Sequence, residues 1–255
     1  MFVEGITEIL FVKKVLEQLV DLDKVYIEHR KIEGGSSVPR YVMRLSGEKK
    51  VTKEKFYILL LDCGGDKQVL SRILEEHKGL YDDGYAKIIG IRDVRPDFTY
   101  VEIPRLQAAI KLQLQKILIP VEFILSTMEI EAWFLAEHSH FERYDAALNI
   151  NAINTLLGFN LLQCDVTTIA NPSLELNRIY NLVGRTYDKS KENPTIKALD
   201  FSFICNGFEN RVPQFHELLS SLKEFLKPIV IKKLICNSPL NFLWNILSRL
   251  RTAKH

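Results

Sequence analysis

Three acidic side chains each follow a short run of β-type residues in the first hundred residues of the chain. They are Glu4, Asp62 and Asp93. Glu8 lies four residues after Glu4, which places both side chains on the same face of the helix predicted there. Carboxylates held this close repel one another unless a cation lies between them. Their hard oxygen ligands suit Mg²⁺ or Mn²⁺, so the sequence predicts a divalent-metal site.

The acids differ in how readily a structural role explains them. Asp66 follows Asp62 across a Gly-Gly turn, and the alternative is that it only caps the next helix. For Glu8 the alternative is that it is only a solvated acid in the first turn of a helix. Glu4 and Asp62 are harder to explain, because an acid directly after a buried strand and beside a glycine is costly to bury unless it is used.

The elements that must position these acids alternate between β-type runs and longer helical patterns. This alternation is typical of parallel strands joined by helical crossovers. The predicted helices cover residues 38–46, 67–77 and 103–118, and another begins near residue 128. In an open parallel sheet, ligands bind beyond the carboxyl ends of the strands, where these acids would meet. The predicted strands are Met1–Val3, Val25–Ile32, Phe56–Leu61, Lys87–Arg92 and Val121–Ser126, with Phe56–Leu61 apolar on both faces and therefore central.

Composition and charge place the chain among globular proteins. It has 255 residues, 47% hydrophobic and 26% charged, with a net charge of +2, which excludes disordered, collagen-like and disulfide-scaffold classes. We predict an α/β domain over residues 1–140, a mainly helical part over 141–226 and a basic amphipathic tail over 227–255. The tail could bind phosphates, an anionic membrane surface or an acidic partner, or simply dock on the body as a terminal helix.

The sequence also predicts where the protein is found. The longest apolar stretch, Phe56–Leu61, is far shorter than the roughly 20 residues of a membrane-spanning helix. Glu4 and Glu8 stand where a signal peptide would be cationic and then apolar. We therefore expect a soluble, cytoplasmic protein without a membrane span.

A family resemblance rests first on the letters VEGITE at residues 3–8. They resemble the VEGxTE opening of Toprim domains, the metal-binding fold of topoisomerases, DnaG-type primases and OLD-family nucleases. In those families the strand-end glutamate supports metal-dependent phosphoryl chemistry, and a second acidic motif, usually D-x-D, follows the third strand. Asp62 and Asp66 stand in that place but are four residues apart, and Asp93 is the alternative member of the set. The resemblance implies a Toprim-like, Rossmann-like parallel sheet flanked by helices, followed by a mainly helical C-terminal part.

Three later passages extend the resemblance to stand-alone Toprim-like proteins of bacterial defence neighbourhoods. They are MEIEAWFLA at 128–136, YDKS at 187–190 and the closing helix at 215–226. The resemblance implies that Glu131, and with it Glu129, faces the metal site, against the alternative of an exposed helix start. It also implies that Lys189 corresponds to the lysine late in the sequence that OLD-type nucleases bring to the scissile phosphate. The alternative is that Lys189 is only an exposed loop lysine.

The function that these acids and the resemblance imply is a Mg²⁺-dependent or Mn²⁺-dependent nuclease of anti-phage defence. Its substrate would be nucleic acid, either DNA or an RNA such as tRNA. Similar systems pair such a nuclease with an ABC-type ATPase, and this sequence has no G-x-x-x-x-G-K-[ST], so the ATPase would be a separate chain. The implied catalytic residues are Glu4, Asp62 and Lys189, and the implied metal ligands are Glu4, Glu8, Asp62, Asp66, Asp93 and Glu131.

Two other functions remain open. A Toprim-like fold with a degenerate acidic set could bind nucleic acid or a partner protein without hydrolysis, which the four-residue spacing of Asp62 and Asp66 favours. A primase-like or topoisomerase-like component is the other alternative, although 255 residues leave little room for its further domains. A toxic nuclease must also be restrained when idle, by a partner, by a homodimer or by incomplete metal binding.

Overall fold

The computed structural model describes residues 1–34, 39–47, 56–65, 67–190, 192–208 and 211–227. Within these ranges, helices flank a six-stranded sheet of order β3-β2-β4-β1-β5-β6. The strands are β1 (Phe2–Val3), β2 (Val25–Glu33), β3 (Tyr41–Ser46), β4 (Phe56–Asp62), β5 (Ile88–Asp93) and β6 (Val121–Ser126). The helices are α1 (Ile6–Leu19), α2 (Gln68–Asp82), α3 (Ile103–Leu114), α4 (Glu131–Ala136), α5 (His140–Tyr144), α6 (Ile150–Leu157), α7 (Pro172–Asn181), α8 (Pro194–Ala198), α9 (Phe201–Gly207) and α10 (Pro213–Phe225).

The sheet is mostly parallel but mixed. The pairs β2–β4, β4–β1, β1–β5 and β5–β6 are parallel, whereas β3 pairs with β2 in the antiparallel direction. The predicted α/β class is therefore confirmed, and the wholly parallel sheet is corrected to a mixed one. The five predicted strands are each found to within one residue at either end.

The predicted helix over residues 38–46 is wrong, because Tyr41–Ser46 forms the edge strand β3. The spacing of Val38, Val42 and Leu45 imitates one face of a helix. The strand is exposed along most of its length, so it lacks the alternation of buried and exposed residues that identifies a half-buried strand. Its pairing with β2 decides its conformation, and that pairing is a tertiary contact that local sequence does not encode.

The position of β1 explains how the acids come together. This two-residue strand lies between β4 and β5, with Val3 opposite Asp62 and Phe2 opposite Gly90. Parallel neighbours end at the same edge of a sheet, so the residues that follow β1, β4 and β5 share one edge. Helix α1 begins at Ile6, directly after that edge.

The main hydrophobic core joins the sheet to the C-terminal helices. Phe11 of α1 is fully buried and its ring lies 5.5–5.8 Å from the rings of Trp133, Phe134, Phe201 and Phe215. The core cluster runs from Val3 to Leu226. The predicted parts 1–140 and 141–226 therefore share one core.

Two remaining sequence predictions concern the tail and the membrane. Residues 228–255, almost all of the predicted basic tail, lie outside the described residues. Among the described helices, none has the length and apolar character needed to cross a bilayer.

We predict that Phe11→Ala lowers the free energy of unfolding by about 3–5 kcal/mol, because it empties the centre of the aromatic cluster. Urea denaturation followed by fluorescence measures this. The control is Leu112→Ala on α3, whose side chain is 67% exposed and whose loss should change stability by less than about 0.5 kcal/mol. Equal effects of the two changes would show that the shared core does not depend on Phe11.

Candidate metal centre

Three buried carboxylates meet at the carboxyl edge of the sheet. Glu4 follows β1, Glu8 lies in the first turn of α1 and Asp93 ends β5, and each is 8% exposed or less. One oxygen from each carboxylate lies within 4.8 Å of those of the other two. Ligand oxygens around one Mg²⁺ are roughly 3–4 Å apart, given Mg–O distances of about 2.1 Å. The triad Glu4, Glu8 and Asp93 thus stands close to the spacing that one ion requires.

Asp93 is held by the neighbouring strand and by the turn that follows it. Ser126 lies opposite Asp93 in the register of β5 and β6, and its hydroxyl donates a hydrogen bond to Asp93 Oδ1. The backbone N–H of Ile130 donates to the same oxygen at 2.9 Å. Because both donors occupy Oδ1, the other oxygen, Oδ2, is the one available to an ion.

The two glutamates are held by backbone donors. The N–H of Asp93 donates to Glu4 Oε1, which ties the end of β1 to the end of β5. The N–H of Gly5, at the start of α1, donates to Glu8 Oε2 at 2.9 Å. The two glutamates are therefore positioned by main-chain groups of the elements that carry the triad.

A fourth buried carboxylate, Glu131 at the start of α4, lies beside the triad. Its side chain is 1% exposed, and Oε1 accepts hydrogen bonds from the Tyr187 hydroxyl at 2.9 Å and from Lys189 Nζ at 2.8 Å. Its other oxygen, Oε2, is buried without a hydrogen-bond partner among the described residues. An unpartnered buried carboxylate oxygen is costly, and a cation bound close to Oε2 would offset that cost.

Burial and the charge of neighbouring carboxylates raise the pKa values of two of these acids, Glu8 and Asp93. Burial first, and then the charge of Glu131, raise the pKa of Glu8 from 4.5 to about 7. The same causes, with the charge of Glu8 added, raise the pKa of Asp93 well above its ordinary value. The site therefore favours either protonated acids or a bound cation.

The turn between β6 and α4 has an unusual backbone. Met128 has a φ of 64°, a left-handed conformation that bulky residues rarely adopt. The carbonyl oxygen of Met128 accepts a hydrogen bond from the N–H of Arg95, and two residues later the N–H of Ile130 reaches Asp93. Such conformations persist only where the surroundings enforce them, and they cluster at functional sites.

Asp62 lies at the same edge but outside the triad. It is buried at the end of β4, and its Oδ1 accepts a hydrogen bond from the N–H of Gly64 at 2.9 Å. Burial raises the pKa of Asp62, while the charge of Lys31 opposes that shift. The turn that follows stays next to the centre, because the N–H of Gly65 donates to the carbonyl oxygen of Glu4 at 2.9 Å.

Two other candidate acids have different places. Asp66 lies outside the described residues, so its predicted ligand role stays a prediction. Glu129 accepts a hydrogen bond from the N–H of Ser173 at 2.8 Å, in the first turn of α7, and lies 4.0 Å from Arg95 Nε. Glu129 therefore joins the β6–α4 turn to α7 rather than entering the triad.

Sequence reasoning missed the residues that hold the acids. Ser126 ends a predicted strand next to the strand of Asp93, and this position at a strand end is the sequence feature that could have identified it as a partner of Asp93. Tyr187 precedes Lys189 in the YDKS passage, but nothing in the sequence indicated that its hydroxyl would reach Glu131. The N–H of Ile130 carries no side-chain signal, because it depends on the conformation of Met128.

Comparison with known proteins gives no match. No family model matches the chain, and no curated protein or solved structure is significantly similar to it.

We predict that the metal-free protein loses stability as the pH rises from about 4.5 to 7. Glu8 has a pKa of about 7 when folded against an ordinary value of 4.5, so the folded state binds more protons in this window. The free energy of unfolding should then fall by about 3 kcal/mol with rising pH. Glu8→Gln, which keeps an oxygen acceptor for Gly5, should reduce this fall and stabilise the protein at pH 8.

Urea denaturation in EDTA at several pH values measures the effect. Glu17→Gln, an exposed acid on the same helix, is the matched control and should leave the pH dependence unchanged. A Glu8→Gln variant no more stable than the unmodified protein at pH 8 would contradict the raised pKa.

Proposed function

We propose that this protein is a divalent-metal-dependent phosphodiesterase, a nuclease that uses Mg²⁺ or Mn²⁺. The observation that carries the proposal is the buried triad of Glu4, Glu8 and Asp93, with Glu131 beside it, whose Oε2 has no hydrogen-bond partner among the described residues. Buried carboxylates with raised pKa values, grouped with a lysine at the binding edge of an α/β sheet, are typical of catalytic sites rather than of structural ones.

The donors fit a hard divalent cation. All four are carboxylates, and in Asp93 and Glu131 the protein engages one oxygen and leaves the other for an ion. A divalent cation bound there would lower the pKa of an attacking water and polarise the phosphodiester. The donors on Asp93 Oδ1 and on Glu4 Oε1 keep these two carboxylates in place, so that neither needs to move when an ion binds.

In this proposal Lys189 is the cationic group that meets the phosphate. Its side chain is 56% exposed, its Nζ lies 2.8 Å from Glu131 Oε1, and it lies 5.7 Å from the centre of the Tyr187 ring. Burial acts to lower the pKa of Lys189, but the charge of Glu131 and their hydrogen bond outweigh it and raise the pKa. Lys189 is therefore charged at neutral pH and stabilises the negative charge that develops on the phosphoryl group.

The resemblance described above adds the biological setting to the proposal. A Toprim-like nuclease of anti-phage defence would act on DNA or on an RNA such as tRNA in the cytoplasm. It would work with a separate ABC-type ATPase, and a homodimer is one way to restrain it. Asp62 and Asp66 would complete the acidic set of that family.

We predict metal-dependent cleavage of nucleic acid by the purified protein. Plasmid DNA, single-stranded DNA and tRNA are each incubated with Mg²⁺ or Mn²⁺, and EDTA should abolish cleavage. Glu4→Gln and Asp93→Asn should each lower the rate at least about 100-fold, because each removes a charged ligand from the site. Glu17→Gln, on the exposed face of α1, is the control and should cleave normally.

The outcomes of this experiment separate the candidate functions. Cleavage that persists in both variants would assign the reaction to another site or to a contaminant. Metal binding by calorimetry that is lost in both variants, without cleavage of any substrate, would favour the non-catalytic adaptor. Asp62→Asn, assayed in parallel, measures whether the acid outside the triad contributes to the reaction.

We predict that Lys189→Gln lowers kcat by about 10²–10³-fold, the usual loss when one donor to a developing oxyanion is removed. Metal affinity should stay equal or become tighter, because the change removes a positive charge beside Glu131. Single-turnover cleavage and calorimetry measure the two quantities, with exposed Lys111→Gln on α3 as the control. A parallel loss of metal affinity and rate would instead make Lys189 a structural partner of Glu131.

A further inference from the structure

A cavity of about 540 Å³ lies on the face of the sheet that packs against α2. Its walls come from β2, β3 and β4, from the connection between α2 and β5, and from the end of α10. None of the four carboxylates of the metal centre lines it. Its volume is in the range of small-molecule sites, which are about 300–1,000 Å³.

Two arginines face each other across neighbouring strands in this cavity. Arg30 of β2 is directly opposite Arg44 of β3, and like charges in that position repel. A single acid, Glu28, lies between them: its Oε1 accepts from Arg30 Nε at 2.5 Å and from Arg44 Nε at 2.7 Å. One carboxylate against two guanidiniums leaves the group with a net positive charge.

Glu28 is engaged on both of its oxygens. Its side chain is 1% exposed, and Oε2 accepts a hydrogen bond from the Tyr57 hydroxyl. Each guanidinium uses only Nε on Glu28, and among the described residues its terminal nitrogens make no hydrogen bond. The side chains of Arg30 and Arg44 are 34% and 43% exposed, so these nitrogens are accessible to an anion.

The rest of the cavity is aromatic and apolar. The rings of Tyr57 and Tyr85 are 5.7 Å apart in an edge-to-face arrangement, and Leu59, Leu80 and Phe225 continue the wall. Among the other charged groups in the lining, Lys87 is paired with Glu122 and Glu224. The arginine pair is therefore the cationic feature that a ligand meets.

We propose that this cavity binds a nucleotide, with its phosphate on Arg30 and Arg44 and its base against Tyr85 and the apolar wall. Guanidinium groups bind phosphate through two parallel hydrogen bonds, and Glu28 positions both groups for this. Aromatic side chains pack against a planar base. Asp83, also in the lining, can accept a hydrogen bond from a base amino group. This site is independent of the proposed nuclease reaction.

The test uses the full chain in EDTA, so that the metal centre holds no ion that could bind phosphate. Calorimetry measures binding of the four ribonucleoside 5′-monophosphates, of adenosine and of dodecyl phosphate. We expect at least one nucleotide to bind and adenosine to bind at least tenfold more weakly than 5′-AMP. Arg30→Gln and Arg44→Gln should each weaken nucleotide binding at least tenfold, whereas Arg105→Gln, an exposed arginine of α3, should not.

Two variants separate this site from others. Glu4→Gln should leave nucleotide affinity unchanged if the cavity, and not the metal centre, is the site. Tyr85→Leu should weaken the binding of nucleotides. The proposal is overturned if no nucleotide binds at millimolar concentration, or if Arg44→Gln binds nucleotides as well as the unmodified protein does. It is also overturned if only dodecyl phosphate binds, because the ligand would then be an aliphatic anion. Because Arg44 lies on the exposed edge strand β3, its variant should fold even if Arg30→Gln does not.

Discussion

Repulsion among buried carboxylates is the constraint on which the rest of this structure depends. Burial and the charge of Glu131 raise the pKa values of Glu8 and Asp93, and Glu4 shares the same small volume with these two acids. Burying several like charges together opposes folding unless they are protonated or neutralised by a cation. The protein nevertheless assembles them from four different elements, and it uses main-chain donors and Ser126 to keep them in place. Such an arrangement is destabilising on its own and is understandable as a site for a cation.

The C-terminal helices complete the site as well as the core. Lys189 and Tyr187 come from the connection between α7 and α8, and both reach Glu131 Oε1. Trp133 and Phe134, on the same helix as Glu131, pack against Phe11 of α1. The fully buried helix α4 thus couples the position of a candidate ligand to the aromatic core, and α1 couples Glu8 to the same core. A change in the core is therefore expected to reach the site through both helices.

Much of the sheet was predictable from the sequence because strand ends and periodicity are local signals. Glu4, Asp62 and Asp93 were predicted to share one edge, and the register around β1 explains why they do. The sequence could not predict which of the acids lie closest together. Glu4, Glu8 and Asp93 form the close triad, whereas Asp62 interacts with Gly64 and Lys31. That distinction depends on a few ångströms of side-chain geometry. The strand β3 was missed because only its pairing with β2 reveals it.

The ion pair between Lys189 and Glu131 links the position of the lysine to the binding of a cation at the site. Lys189 offsets part of the negative charge, but one ammonium cannot balance four buried carboxylates. It binds Oε1, while Oε2 is buried without a hydrogen-bond partner in the described part of the chain. A cation held by Oε2 would share in neutralising Glu131 and would weaken its ion pair with Lys189, whose exposed side chain would then be free to meet a phosphate. An ion held by the carboxylates would in this way release the lysine, so that filling the metal centre would make the cationic group more available to a phosphate.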